Sequence, residues 1–178
     1  MPVSILQKDS PVLRKQSELV PASEFGTPRL LKLIEQMRRA LVKCDDGVAL
    51  AAPQIGSNKR IFIVSGKVLR KEGEEERPED QAYINPKLIK LSSSKKILDE
   101  GCLSVRGVYG KIERSEKASI EAYDVHGKRF VRGASELLAQ IFQHEMDHLN
   151  GILLIDHFVG AERERLIKNY EALKNKGM

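Results

Sequence analysis

The sequence has 178 residues, of which 41% are hydrophobic and 31% charged, and carries a net charge of +5. This size and composition are typical of one soluble globular domain, so we expect residues 1–178 to form a single unit. A lack of tryptophan and an aromatic content of 5% argue against stacking platforms for nucleic acid. Two cysteines, no visible leader and no long apolar stretch argue against a secreted or membrane protein and predict a cytoplasmic one.

The first predicted element is a helix that begins at Thr27 and Pro28 and extends to about Lys43. Threonine is a favourable N-cap, proline fits the first helical turn, and apolar residues then recur on one helix face. Residues 60–65 are β-branched and aromatic, which indicates a buried strand. Residues 67–80 are densely and oppositely charged, so we expect a solvated loop insertion there.

The second half of the chain predicts more strands and two further helices. Residues 82–91 and 118–125 have strand patterns, and a turn after the latter leads into residues 129–131 as a hairpin. A central helix is predicted over residues 135–149 and an amphipathic C-terminal helix over residues 161–174. The expected fold is therefore α+β, with antiparallel β-sheets packed around the central helix.

The central helix carries the pattern His-Glu-x-x-His at residues 144–148. His144 and His148 are four residues apart and so lie on one helix face, where both imidazoles can bind one metal ion. Glu145 projects beside that face and can accept a proton from water without being a ligand. Apolar residues precede the pattern at helical spacing, which directs this helix towards the core and argues against two surface histidines.

A third ligand is needed, because catalytic metal sites have three protein ligands and one open position. In one alternative, an endopeptidase, that ligand would follow the pattern, but Leu154 stands where a histidine is required and His157 lies off the spacing. Cys102 is the better candidate, next to glycine at the edge of a predicted strand. A thiolate with two imidazoles suits Fe(II), Zn(II), Ni(II) or Co(II) rather than Mg(II) or Ca(II).

Three segments together resemble the motifs of the peptide deformylase family. They are residues 47–54 (GVALAAPQ), 100–104 (EGCLS) and 143–151 (QHEMDHLNG). Their order and spacing are also similar to those of the family, and the likeness covers nearly the whole chain. It implies a metal-dependent hydrolase that removes the N-formyl group from formyl-methionyl nascent peptides and releases formate.

The resemblance also implies roles for individual residues. The metal ligands would be Cys102, His144 and His148. Glu145 would be the general base, while the Gln54 amide and the Leu103 backbone N–H would stabilise the oxyanion. The residues lining the peptide cleft would be Gly47, Val48, Ala49, Gly101, Leu137 and Ile141, the last two walling the pocket for the methionine side chain.

The implied cofactor is one divalent metal ion, with Fe(II) expected in vivo and Zn(II), Ni(II) or Co(II) as alternatives. The implied partners are formylated nascent peptides and, through the basic C-terminal helix, the ribosome. We expect neither membrane association nor sequence-specific nucleic-acid binding. We also expect Glu100 to form a salt bridge with Arg114, and Asp147 to contact an imidazole or remain solvated.

The chain departs from the family pattern at Ala49, where the family has glycine, and at Arg106, where it often has proline. The segment 67–80 is also longer than the usual connection. Alongside a deformylase, two alternatives therefore stay open. One is a zinc metallopeptidase, and the other is a non-catalytic relative that binds metal or formyl-peptides.

Overall fold

Five consecutive strands separate the first two α-helices from the last two in the computed structural model, which describes residues 4–70, 75 and 78–176. The strands are β1 (Ala49–Ala51), β2 (Ile61–Val64), β3 (Gln81–Leu91), β4 (Lys95–Gly101), β5 (Tyr109–Ser115), β6 (Lys117–Tyr123) and β7 (Arg129–Ser135). The α-helices are α1 (Pro28–Val42), α2 (Gly66–Leu69), α3 (Glu136–Leu149) and α4 (Gly160–Asn175). Short 3-10 helices cover Pro11–Arg14, Ala22–Glu24, Ala52–Ile55 and Leu154–His157.

The strands form two antiparallel sheets. The larger has the order β1-β2-β3-β6-β7, so β1 and β7 are its edges. The smaller is the hairpin of β4 and β5, in which Gly101 pairs with Tyr109. This α+β arrangement confirms the predicted fold class.

The larger sheet is buried between α3 on one face and α1 on the other. Along β2, Phe62 and Val64 belong to the core that includes α3, whereas Ile61 and Ile63 belong to the core that includes α1. Successive side chains of a strand point to opposite faces, so both faces of β2 need apolar residues. The unbroken apolar run that predicted this strand is thereby explained.

Three aromatic rings fasten α3 to the sheet. Phe62 stacks on Tyr83 with ring centroids 4.7 Å apart, and Phe142 of α3 meets Tyr83 edge-on at 5.3 Å. All three side chains are fully buried. Truncating such a residue costs about 3–5 kcal/mol, so Phe142 is an important anchor for the helix that carries both histidines.

The C-terminal helix supports the loop that follows β4. Leu166 and Tyr170 of α4 share a buried cluster with Val105 and Val108 of that loop. Gly107 has a φ of 77°, and a Cβ there would lie 2.5 Å from Leu173 Cδ1. Both the backbone angle and this close contact require glycine.

Most of the predicted elements are confirmed, with two differences. The hairpin of β4 and β5 was not predicted as a pair of strands. Within the segment 67–80, residues 67–69 belong to α2 rather than to a loop, and residues 71–74 and 76–77 lie outside the described residues. No helix in the described part of the chain is long and apolar enough to cross a membrane.

Candidate metal centre

Helix α3 and the hairpin of β4 and β5 bring the three predicted ligands together. The ring centroids of His144 and His148 lie 4.9 Å apart on one face of α3. Cys102 directly follows β4, and its Sγ lies 3.2 Å from His148 Nε2. The ligand atoms of all three side chains lie within 4.8 Å of one another, so this cluster can hold one metal ion.

The surroundings of Cys102 favour the thiolate form of its side chain. Burial raises its pKa, but the His148 and His144 imidazoles beside it outweigh burial and lower the pKa to about 5. The backbone N–H of Ser104 also donates to Cys102 Sγ, at 3.4 Å. Because the thiolate is the form that binds metals, this environment fits a ligand better than a buried structural cysteine.

A carboxylate orients the His144 ring. His144 Nδ1 lies 2.6 Å from Glu100 Oε1, while Arg114 binds the same carboxylate through Nε at 3.0 Å and Nη2 at 2.6 Å. Burial raises the pKa of Glu100, but His144 and Arg114 hold it well below its usual range. Glu100 is therefore an ionised acceptor, His144 Nδ1 carries the donated proton, and Nε2 remains available to a metal. The predicted pairing of Glu100 with Arg114 is confirmed.

The ionic network continues to the surface. Arg114 Nη1 donates to Asp147 Oδ2 at 2.8 Å, and His157 Nε2 lies 2.8 Å from the same oxygen. Asp147 was expected either to contact an imidazole or to remain solvated. It does contact an imidazole, but that of His157, which is not a member of the ligand cluster. Within the described residues, His157 lies outside the group that can hold a metal.

Glu145 is buried and lines the same cavity as Cys102 and His144. It is 3% exposed, and its Oε2 has no hydrogen-bond partner among the described residues. Burial raises the pKa of this carboxyl to about 7. A buried carboxylate with a free oxygen and a near-neutral pKa has the properties of a general base.

Two hydrogen-bond donors lie beside the cluster. Gln54 Oε1 accepts from the Ala51 N–H at 2.8 Å, which fixes the amide so that Nε2 points to Ser104 Oγ, 3.1 Å away. The Leu103 carbonyl accepts from Gln7 Nε2 at 3.0 Å. The Leu103 N–H has no hydrogen-bond partner in the described part of the chain. Gln54 and Leu103 both line the cavity.

The cavity in front of the cluster has a volume of about 320 Å³, within the range of roughly 300–1,000 Å³ usual for small-ligand pockets. All six residues predicted to contact the peptide line it, namely Gly47, Val48, Ala49, Gly101, Leu137 and Ile141. Ile141 is 4% exposed and lies deep, whereas Leu137 is 49% exposed and lies at the mouth. The first three residues belong to β1 or directly precede it, along the free edge of the larger sheet.

Ala49 fits its position without backbone strain. Ala49 belongs to β1, pairs with Val64 of β2 and is 7% exposed. Among the described residues other than glycine, positive φ angles occur at Asn85 and Glu136, so Ala49 has ordinary strand geometry. The alanine therefore lines the cavity without distorting the chain.

The sequence did not predict one side of the cavity. Tyr109, on β5, is 64% exposed and lines the mouth. A Cβ on its partner Gly101 would lie 2.6 Å from Tyr109 Cε1, so the glycine lets the ring lie across the strand. This relation depends on the register of β4 and β5, which no pattern in the sequence revealed. Gln140 also lines the cavity, and its side chain donates to the Asp99 carbonyl at 2.9 Å.

Comparisons with known proteins point to one family. The family model for polypeptide deformylase matches residues 2–164. The peptide deformylase of Rhizobium meliloti (strain 1021) is 37% identical over 94% of this chain and 91% of its own length. That of Halothermothrix orenii is 40% identical over 93% of this chain and 100% of its own.

Solved structures give the same result. The plant peptide deformylase PDF1B superimposes with a TM-score of 0.84 at 32% identity, covering 99% of this chain and 91% of that one. A peptide deformylase from Legionella pneumophila gives a TM-score of 0.83 at 32% identity, covering 96% and 94% of the two chains.

Proposed function

The chain belongs to the polypeptide deformylase family of metal-dependent hydrolases, and on that premise we propose that Cys102, His144 and His148 hold its metal and Glu145 is its general base. The family reaction hydrolyses the N-formyl amide of formyl-methionyl peptides and releases formate. The observation that carries the proposal is the free, buried Oε2 of Glu145 in the cavity that Cys102 and His144 of the ligand cluster line.

The donor set supports a borderline transition metal. One thiolate and two imidazoles suit Fe(II), Zn(II), Ni(II) or Co(II), whereas Mg(II) and Ca(II) prefer oxygen ligands. We propose Fe(II) as the metal in vivo. When bound, such a cation acts as a Lewis acid that polarises a carbonyl and makes water more acidic.

Protein groups supply the proton transfers and the remaining charge stabilisation. Glu145 accepts a proton from the attacking water, whose oxygen adds to the formyl carbon. The Gln54 Nε2 and Leu103 N–H groups donate hydrogen bonds to the oxygen that becomes negative. Glu145 then donates its proton to the departing amine, and formate leaves. A pKa of about 7 suits a group that must both accept and return a proton near neutral pH.

The peptide is proposed to lie along the free edge of β1. An extended chain there can pair with the backbone around Val48 as an added antiparallel strand. Leu137 and Ile141 then wall the pocket for the methionine side chain. Hydrogen bonds to the backbone of an edge strand give affinity without recognising the side chains that follow methionine. This suits an enzyme with many substrates.

The two alternatives gain no support. Leu154, at the position where a metallopeptidase would need its third histidine, is a buried apolar residue of a 3-10 helix. Ala49, which raised the idea of a non-catalytic relative, has ordinary backbone geometry. Incubation of anaerobically purified, Fe(II)- or Ni(II)-loaded protein with formyl-Met-Ala-Ser should release formate. Cleavage of an internal peptide bond without formate would instead identify a peptidase.

We also propose that residues 1–178 act as one catalytic domain in the cytoplasm and that α4 docks on the ribosome. The side chains of α4 proposed to contact the ribosome are the four cations Arg163, Arg165, Lys168 and Lys174. Arg163 lies beside Asp156, Arg165 beside Glu162, and Lys174 beside Asp9. Replacing the four cations should weaken ribosome co-sedimentation at low salt and leave tripeptide deformylation unchanged, whereas unaltered co-sedimentation would contradict docking by α4.

A further inference from the structure

Arg106 is the one lysine or arginine among the described residues that line the cavity. It stands four residues after Cys102, at the mouth, and its side chain is exposed. Four carboxylates line the same cavity, those of Asp46, Asp99, Glu100 and Glu145. Glu100 is neutralised by Arg114, and Glu145 is buried, so the charges that meet a ligand at the mouth are Arg106, Asp46 and Asp99.

The backbone of Arg106 is held in place. Its N–H donates to Gln7 Oε1 at 3.3 Å, and the same glutamine side chain donates to the Leu103 carbonyl at 3.0 Å. The next residue, Gly107, is packed against Leu173 of α4. The base of the side chain is therefore positioned by contacts from both ends of the chain.

The guanidinium group of Arg106, by contrast, has no hydrogen bond or ion pair with another described residue. Neither Asp46 nor Asp99 lies within ion-pair distance of it. In Arg114, by comparison, all three guanidinium nitrogen atoms donate to the carboxylates of Glu100 and Asp147. A fixed base and a free cationic head are what a residue needs to bind a group that arrives from solution.

We propose that Arg106 makes this enzyme prefer formyl-peptides with an aspartate or glutamate in one of the two residues after methionine. The inference rests on the proposed function, because it takes the cavity as the peptide site. With the methionine side chain between Leu137 and Ile141, the following residues leave through the mouth. A guanidinium matches a carboxylate with two parallel hydrogen bonds, which selects an acidic side chain over its neutral amide.

The preference should be modest and should act on binding. Solvent-exposed ion pairs contribute up to about 1 kcal/mol, which corresponds to about a twofold to fivefold preference in kcat/KM. Since Arg106 lies away from the formyl carbon, its contact is equally strong in the ground and transition states, so it lowers KM and leaves kcat unchanged. The preference should shrink as ionic strength rises.

The experiment compares C-terminally amidated formyl-Met-Glu-Ala and formyl-Met-Ala-Glu with their glutamine counterparts. Amidation removes the terminal carboxylate, which would otherwise add a charge to every peptide. The proteins are wild type, Arg106→Gln, Arg106→Glu and the control Arg129→Gln. The control removes one positive charge from an exposed ion pair with Glu121 on β6 and β7, away from the cavity.

Wild type and the Arg129→Gln control should prefer glutamate over glutamine about twofold to fivefold at one of the two positions, through KM. The preference should vanish in Arg106→Gln and reverse in Arg106→Glu. A wild-type ratio of one at both positions, or a ratio that survives in Arg106→Gln, would overturn the proposal. Formate release from the glutamine peptides reports on the proposed function separately, because it does not depend on this preference.

Discussion

The inner wall of the cavity and its mouth differ in how their polar side chains are held. At the inner wall, Glu100, Arg114 and His144 form a buried network with distances of 2.6–3.0 Å. At the mouth, Arg106 and Asp46 are exposed and have no such partners among the described residues. The inner wall fixes the groups that carry out the reaction, whereas the mouth can change its side chains at little cost. Arg106, where the chain departs from the family pattern, lies at the mouth, the region in which a substitution disturbs few contacts.

The two arginines, Arg114 and Arg106, give the sharpest comparison of wall and mouth. Arg114→Met should lower the free energy of unfolding by about 3–5 kcal/mol, because it leaves the buried Glu100 carboxylate without its counter-charge. Arg106→Met should change it by less than about 0.5 kcal/mol, as for other exposed positions. Urea denaturation of both variants measures the difference. Equal losses would show that the mouth is as tightly built as the wall.

Glu145→Gln separates chemistry from metal binding at the inner wall. The variant should lose about a hundredfold or more in kcat, because glutamine cannot accept the proton from water. Its metal content should stay close to that of wild type, since Glu145 lies outside the ligand cluster. Cys102→Ala, the matched comparison, should instead lose the metal itself. Loss of metal from Glu145→Gln with full rate per remaining metal would refute the assignment of the base.

Ala49 lies between the two regions, on the edge strand along which the peptide is proposed to bind. Ala49→Gly should raise kcat/KM for bulky formyl-peptides more than for formyl-Met-Ala. A single methyl group typically changes discrimination by about 1–3 kcal/mol. Steady-state rates of both proteins, fully loaded with metal, across a series of peptide sizes provide the measurement. Identical profiles would show that the methyl group does not shape the cavity.

His157 tests how far the inner wall extends. Its ring bonds Asp147 at the solvent end of the network, where both side chains are partly exposed. We expect His157→Gln to weaken metal affinity less than threefold, because exposed pairs contribute little. Glu100→Gln should weaken it about tenfold to a hundredfold, as for partners that orient a ligand directly. Chelator competition gives both affinities, and a comparable loss in the two variants would mean that the network acts as one unit.

The inner wall could be predicted from the sequence largely because its signals are local. The spacing of His144 and His148 on one helix requires only helical geometry, and Cys102 follows from the need for a third ligand. The mouth depends instead on contacts between distant parts of the chain. A strand was expected before Cys102, but Ile97 and Leu98 are adjacent in β4 and Ile97 is 66% exposed, so no apolar alternation indicated its register with a partner strand. Without that hairpin, neither the place of Tyr109 nor its dependence on Gly101 could be foreseen.

The ligand cluster adds a further link between the hairpin of β4 and β5 and helix α3, which hydrogen bonds from Glu100 and Arg114 already join. Cys102 directly follows β4, and His148 lies on α3, 46 residues further along. A covalent cross-link over a loop of that length restricts the unfolded chain by about 4 kcal/mol in loop-closure models. A bound metal would similarly tie the hairpin to the helix and favour the folded chain through entropy. Loss of the ion would then remove this constraint, while the buried cluster that Val105 and Val108 share with α4 would still hold the loop.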